Sequence, residues 1–289
     1  VRAAAARADS SDYRQDLAMA YEAIELKQDG AIAWLTLNRP HALNALSSTM
    51  VSELHDYLGG LASDHVTRVV VVRGAGRAFC AGLDLKEHSG GRPGDDSLGS
   101  STSATLEVQR RISNLVVAIR RLPQPFIAAV RGPASGGGFA LALACDVRLA
   151  GASARFNAAF IRIGLSGCDM GISYTLPRAV GTSIAYELLL TGRFIDAQRA
   201  LATRLVSEIV PDAELDAAAG KLAREMVEAS PLGLSLTKEC INANVDAASI
   251  ENAIAMEDRN QALCVGSGYL TEGARAFTEK RKPRFATRA

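Results

Sequence analysis

Strand-like runs and helical spacings alternate along residues 21–210, and after Pro211 the strand-like runs stop. Arg68–Arg73 ("RVVVVR") and Phe126–Arg131 ("FIAAVR") read as short buried strands, as do Asp146–Ala150 ("DVRLA") and Leu205–Val210. Within Ser47–Leu61, Met50, Leu54, Leu58 and Leu61 recur at helical spacing. Leu106–Arg121, Gly138–Cys145 and Ala197–Ala202 carry further helical patterns. Such alternation predicts the α/β class with parallel pairing. Ahead of it, Ala23–Lys27 and Ala31–Leu37 flank the turn dipeptide Asp29-Gly30 and predict a hairpin.

Past Pro211 the helical patterns continue alone, over Ala213–Glu228, Pro231–Val245, Ser249–Leu263 and Thr271–Lys280. The expected organisation is a flexible N-terminal tail over 1–20, an α/β core over 21–210 and a C-terminal helical region over 211–289. A chain of 289 residues, 48% of them hydrophobic, can bury a full core. The tail lacks the apolar stretch of a secretory signal, and no apolar run approaches bilayer length, so a cytoplasmic location is expected. Five widely spaced cysteines without a C-x-x-C pair read as reduced thiols, not as a disulfide frame or a zinc site. A formal net charge of +1 supplies no global field for nucleic acid or a membrane, so neither is an expected partner. Gly, Ser and Pro fill Ser89–Thr105, which reads as a mobile loop, either a lid or a passive surface segment.

Residues 133–146 run "PASGGGFALALACD". A helix N-terminus leaves N–H groups without intrahelical partners, and its dipole adds positive partial charge there. Glycine lets another molecule's atoms approach those groups. The apolar continuation implies a helix buried nearly all round and a dry site, where donors act strongly on an anion. Gly136-Gly137-Gly138 therefore reads as an oxyanion or phosphate cradle, or else as close helix–strand packing. A second glycine-rich turn, "VVVVRGAGRAFCAGLDLKE" at 69–87, also follows a strand. Its glycines fit neither G-x-G-x-x-G opening a helix nor G-x-x-x-x-G-K-[ST], so the dinucleotide and P-loop readings fail. Two such turns can each present one backbone N–H to a single oxygen.

These stretches, with "LNRPHALNAL" at 37–46, "LPRAVG" at 176–181, "LTGRFIDAQRALATRLVSEIV" at 190–210 and "FTEKRKPRF" at 277–285, resemble the enoyl-CoA hydratase/isomerase family, the crotonases. The resemblance spans roughly residues 21–285. It implies a crotonase-like spiral of ββα units with a C-terminal helical region for oligomerisation and CoA contacts, assembled as a homotrimer or homohexamer. It implies an acyl-CoA thioester as substrate, with no cofactor beyond the coenzyme A of the substrate itself, and no His, Cys, Asp or Glu set has the spacing of metal ligands. The implied oxyanion donors are the N–H groups of Leu83, after Ala81-Gly82, and of Gly137, beside Gly136. Implied CoA contacts are His41, Ala42 and Leu43, then Ala81, Asp84, Leu85 and Lys86. The terminal Lys280, Arg281 and Lys282 resemble a basic end that reaches CoA phosphates, and read equally as a solvated tail.

Family hydratases carry one glutamate just after the glycines and a second in the next strand-to-helix region. The corresponding positions here are Ala140 and Phe160, which can neither deprotonate water nor return a proton. Asp169, in "SGCDMGIS", falls where the family's dienoyl-CoA isomerases carry a catalytic aspartate. One carboxylate suffices to move a proton between α- and γ-carbons. Asp169 also stands where an Asp would cap a helix over Gly171–Ala179, and a capped carboxylate is a weaker base. Ser135 precedes the glycines in a fold related to Clp-type peptidases, but His41, His55, His65 and His88 all lie upstream and none supplies its base. His41 reads as a surface or CoA-lining residue, His55 and His65 as solvated, Cys80 and Cys168 as small packing residues, and Asp146 as locally paired. The expected function is an acyl-CoA enzyme working through an enolate, with isomerisation favoured over hydration. The alternative is an acyl-CoA-binding protein without chemistry.

Overall fold

The computed structural model describes residues 21–88 and 102–285. The tail expected over 1–20 and residues 89–101 of the loop expected over Ser89–Thr105, lid or passive surface segment, lie outside the described residues. Strands β1 (Ile24–Asp29) and β2 (Ile32–Leu37) form the expected hairpin, with Ile24 opposite Leu37. From β2 onward every pairing in this sheet is parallel: β3 (Val69–Gly74), β4 (Phe126–Val130), β6 (Val147–Gly151) and β9 (Glu208–Val210) follow in that order.

The continuous apolar runs need cover on both faces, because successive strand residues point opposite ways. Val70, Val72, Ala128 and Val130 pack into one core with α1 (Ser48–Leu61), α3 (Thr102–Arg121) and α4 (Gly137–Ala144). Val69, Val71, Ile127 and Ala129 form a second core with Leu215, Ala219 and Ala223 of α8 (Leu215–Val227). Ser47 caps α1, its hydroxyl accepting from Met50 N at 3.1 Å. α3 begins at Thr102 in the described residues, so Thr102–Thr105 are helical and not part of a loop.

A small second sheet, β5 (Pro133–Ser135), β7 (Arg155–Asn157) and β8 (Ile195–Asp196), is too short to leave a sequence pattern. The remaining helices are α2 (Leu85–His88), α5 (Ile172–Val180), α6 (Thr182–Thr191) and α7 (Ala197–Ala202). After α8 come α9 (Pro231–Asn244), α10 (Ile250–Gly266) and α11 (Tyr269–Thr278). No described helix is long and apolar enough to cross a membrane.

Lys238 of α9 is buried, and its Nζ donates to Ile119 O at 3.0 Å and Gln124 O at 2.8 Å. It also lies 3.0 Å from Asp146 Oδ2, which accepts from Phe126 N at 2.8 Å. Asp146 is therefore not locally paired, as its sequence position suggested. Its partner is a helix far along the chain. Burial lowers the Lys238 amine from its ordinary range, against the opposing pull of Asp146.

Candidate active site

The segment Cys80–Asp84 leaves β3 and threads between two neighbours. On one side Ala81 N donates to Leu43 O at 3.0 Å, Leu46 N to Gly82 O at 2.7 Å and Asp84 N to Leu46 O at 3.1 Å. On the other, Ser135 N donates to Cys80 O at 2.9 Å. Isolated bridges Leu46–Leu83 and Cys80–Ala134 register the segment against both. Gly82, at φ +94, permits the close approach: a Cβ there would lie 2.8 Å from Ser135 O and 3.4 Å from Gly137 N. At Gly138 a Cβ would lie 2.2 Å from Cys80 O. The glycines thus serve close packing and bring the two turns together at once.

α4 starts at Gly137 without a side-chain cap, after Gly136 at φ 50. Among the described residues, neither the Leu83 N–H nor the Gly137 N–H has an acceptor. All eight residues of α4 are buried, so the Gly137 donor sits in dry surroundings where the helix dipole is little screened. The walls are apolar. A Cβ on Gly137 would lie 3.0 Å from Leu46 Cδ1 and 3.1 Å from Met170 Sδ, and one on Gly136 would lie 3.5 Å from the Phe160 ring. Ala140, 1% exposed, follows one turn on.

Asp169 is half-buried, next in chain to the Met170 that faces Gly137. Its Oδ1 accepts from Met170 N at 2.6 Å and from the Gln109 side-chain amide of α3. Burial raises its carboxyl above the usual range, partly opposed by those two donors. The helix-cap reading of Asp169 does not hold. α5 begins at Ile172, Gly171 occupies the cap position, and no side-chain cap bond forms there. The lowered pKa that a cap would bring is replaced by a raised one.

The family model described as enoyl-CoA hydratase/isomerase matches residues 27–288. The chain belongs to the enoyl-CoA hydratase/isomerase family. Among the relatives of this family member is a Mycobacterium tuberculosis protein named "Probable enoyl-CoA hydratase EchA12", 41% identical over 255 residues, or 88% of this chain and 89% of that one. Escherichia coli K12 1,2-epoxyphenylacetyl-CoA isomerase is 35% identical over 251 residues, covering 87% and 93% of the two chains. The crystal structure of Bacillus anthracis enoyl-CoA hydratase superposes with a TM-score of 0.85 at 32% identity, over 92% of this chain and all of that one. The fold is the crotonase fold of these hydratases.

Within this hydratase/isomerase frame the other candidate residues separate. Pro40–Ala42 form a short 3-10 turn that leaves His41 exposed, with Leu43 at φ 51 closing it. Leu85 and Lys86 are exposed on α2. Asp84 turns inward instead: Arg39 Nη1 lies 2.9 Å from its Oδ2, and Lys86 N donates to its Oδ1 at 3.2 Å. Burial alone would raise Asp84, but Arg39 and the N–H groups of Lys86 and Glu87 hold it below the usual carboxylate range. Its carboxylate is a structural brace. Lys282 pairs with Glu228, and Arg281 with Glu272 at 2.7 Å, while Lys280 is exposed. His55 is not merely solvated, since Nε2 lies 2.7 Å from Arg111 O. Cys80 is buried as expected of a packing residue, whereas Cys168 is exposed. Among the described residues no group of three His, Cys, Asp or Glu side chains is placed to hold a metal.

Three residues near the site were not singled out by the sequence, although two of them, Asn44 and Met170, lie inside stretches quoted above. Gln109 reaches Asp169 across 60 positions of chain, and Met170 adopts φ 48 beside it. Asn44, fully buried at φ 56, binds Arg39 N, Ala75 O and Ala78 O and so ties the two loops together. A buried Asn in a loop is a signal of such bracing, but only once burial is known.

Proposed function

We propose that this family member is an enoyl-CoA isomerase, which moves a double bond within an acyl-CoA thioester through an enolate. Asp169 takes a proton from C2 of a 3-enoyl thioester. The electron pair spreads onto the thioester oxygen, which accepts from the Leu83 and Gly137 N–H groups. The same proton returns at C4, giving the 2-enoyl thioester. Atoms and electrons balance within the substrate, so the step needs no cofactor beyond the CoA the substrate carries.

The observation that carries the reading is the pairing of two acceptor-less N–H groups with one half-buried carboxylate of raised pKa, amid apolar walls. A raised carboxyl is suited both to take a proton and to return it. Ala140 and Phe160, 1% and 6% exposed, offer no second acid or base for adding water. A relative named 1,2-epoxyphenylacetyl-CoA isomerase is in keeping with isomerase chemistry, the relatives named enoyl-CoA hydratase are in keeping with an enoyl-CoA substrate, and the choice against hydration rests on Ala140 and Phe160.

The exposed Lys280 and the surface pair Lys282–Glu228 suit CoA phosphates, because an exposed pair is weak enough to exchange partners. Exposed apolar side chains on the C-terminal helices, Phe277 at 88% among them, suit burial in a homotrimer or homohexamer. Five free cysteines suit a reducing cytoplasm.

The test is α-carbon deuterium uptake from heavy water, with saturated and 3-enoyl-CoA thioesters and mass readout. Uptake by the native protein that is lost in Asp169→Asn supports the reading. Tight thioester binding with no exchange would replace it with a non-catalytic binder.

A further inference from the structure

We propose that Gln109 is the positioning residue of the Asp169 carboxylate, holding Oδ1 so that Oδ2 carries the transferred proton. The inference rests on the reading of Asp169 as the base. Both donors to the carboxylate, Met170 N and the Gln109 amide, converge on Oδ1. Among the described residues Oδ2 has no partner. A carboxylate anchored through one oxygen keeps a single orientation and leaves the other oxygen's lone pairs for chemistry.

The anchor is rigid. α3 buries Ile112, Leu115, Val116 and Ile119, and Gln109 stands one turn ahead of Ile112 on the same helix. Further along α3, Val116 Cγ1 lies 3.9 Å from the point a Cβ on Gly171 would occupy. The segment that carries Asp169 therefore meets α3 at two places. Gln109 Nε2 also lies 3.4 Å from Ser113 Oγ on the next turn, which steadies the amide.

The type of residue fits the task. A neutral amide orients the carboxylate with only a modest pull on its proton affinity, whereas a cation would pin it ionised as a weak base. The charged groups nearest on α3, namely Glu107, Arg110 and Arg111, are exposed. Across from it on α5, Arg178 is paired with Asp246 at 2.8 Å. None of them contributes to the Asp169 carboxyl, which burial raises and the Met170 N–H and Gln109 amide partly pull back down.

The experiment compares Gln109→Met and Gln109→Lys with native protein in the deuterium-uptake assay across pH. It adds a 13C NMR titration of the Asp169 carboxyl without substrate. Losing one hydrogen bond to a carboxylate should move the inflection up by about one pH unit in Gln109→Met. In Gln109→Lys it should move down by a similar amount or more, about one pH unit. The rate at saturating substrate should fall about tenfold with little change in KM. Opposite shifts joined to the roughly tenfold fall in saturated rate at unchanged KM support the proposal, since a contact that did not position the carboxylate would move its titration but leave the saturated rate of the ionised form unchanged. Profiles that superimpose on native, or shift the same way in both variants, overturn it. Should Gln109→Met fail to fold, the saturated rate of Gln109→Lys decides, measured above the Asp169 inflection of both proteins: a fall of about tenfold at unchanged KM supports the proposal, and a native rate overturns it. Exchange that survives Asp169→Asn overturns the base reading instead, and with it any catalytic meaning of the contact, even where the NMR titration moves.

Discussion

Lys238 Nζ lies 3.0 Å from Asp146 Oδ2, so a helix from the C-terminal stretch is fastened to the edge of the central strands through a buried charge. Removing the lysine leaves Asp146 with Phe126 N and an Arg120 guanidinium 3.8 Å away, and breaking a buried pair costs up to about 3–5 kcal/mol. Lys238→Met should therefore lower thermal stability markedly. Adding Asp146→Asn should restore much of it, because an amide oxygen still accepts from Phe126 N. Denaturant unfolding of the two variants checks both statements.

Gly138→Ala should cost about 1–3 kcal/mol, since its Cβ would lie 2.2 Å from the backbone carbonyl of Cys80 and 2.6 Å from its Cβ. The shift also parts the Leu83 and Gly137 N–H groups, so if they are the oxyanion donors proposed above, exchange should fall about 100-fold or more. Gly59→Ala is the control. That site lies within α1 with nothing within 4 Å of a Cβ, so the change should stabilise by about 0.5–1 kcal/mol.

Asp169→Asn should be more heat-stable than native protein at neutral pH. Burial raises the folded carboxyl above its ordinary value of 3.8, so its ionisation opposes folding as pH climbs through the folded pKa. The advantage of Asn should vanish below pH 3.8, where native Asp169 is protonated in both states. Melting curves across pH measure the crossing. A stabilising change that abolishes exchange would mark a residue kept for chemistry rather than for folding.

Arg39→Met should loosen the Cys80–Asp84 segment. The guanidinium donates to Ala45 O at 2.7 Å and to Asp84 at 2.9 Å, so about 1–3 kcal/mol of stability is at stake. The folded Asp84 carboxyl lies below 3.8, and its contribution is present above that pH and lost as pH falls through the folded value. The variant should therefore show a weaker loss of stability on acidification below pH 3.8 than native protein does.

Much of the main sheet was legible because its strands are apolar on consecutive residues, as "VVVV" in β3 and "FIAAV" in β4. The three-stranded sheet was not, since pieces of two or three residues leave no period to read. At the site, the glycine turns announced themselves, because close approach admits no other residue. Asp169 was visible as an acid but its surroundings were not: the same Asp-x-Gly pattern suits a helix cap, and only burial separates the two. Gln109 and Lys238 were silent for a common reason. Each acts on a partner distant in the chain, and a lone polar residue in a helix or loop looks solvated until the partner's position is known.

The second face of the sheet waits for α8. Val69, Val71, Ile127 and Ala129 are all made before Leu215, Ala219 and Ala223, so a nascent chain ending at Val210 has every strand of the main sheet and one uncovered apolar side. Folding during synthesis cannot finish at the last strand. Until α8 leaves the ribosome the growing chain is sticky on that side, and a truncation just after β9 should yield aggregate rather than a smaller enzyme.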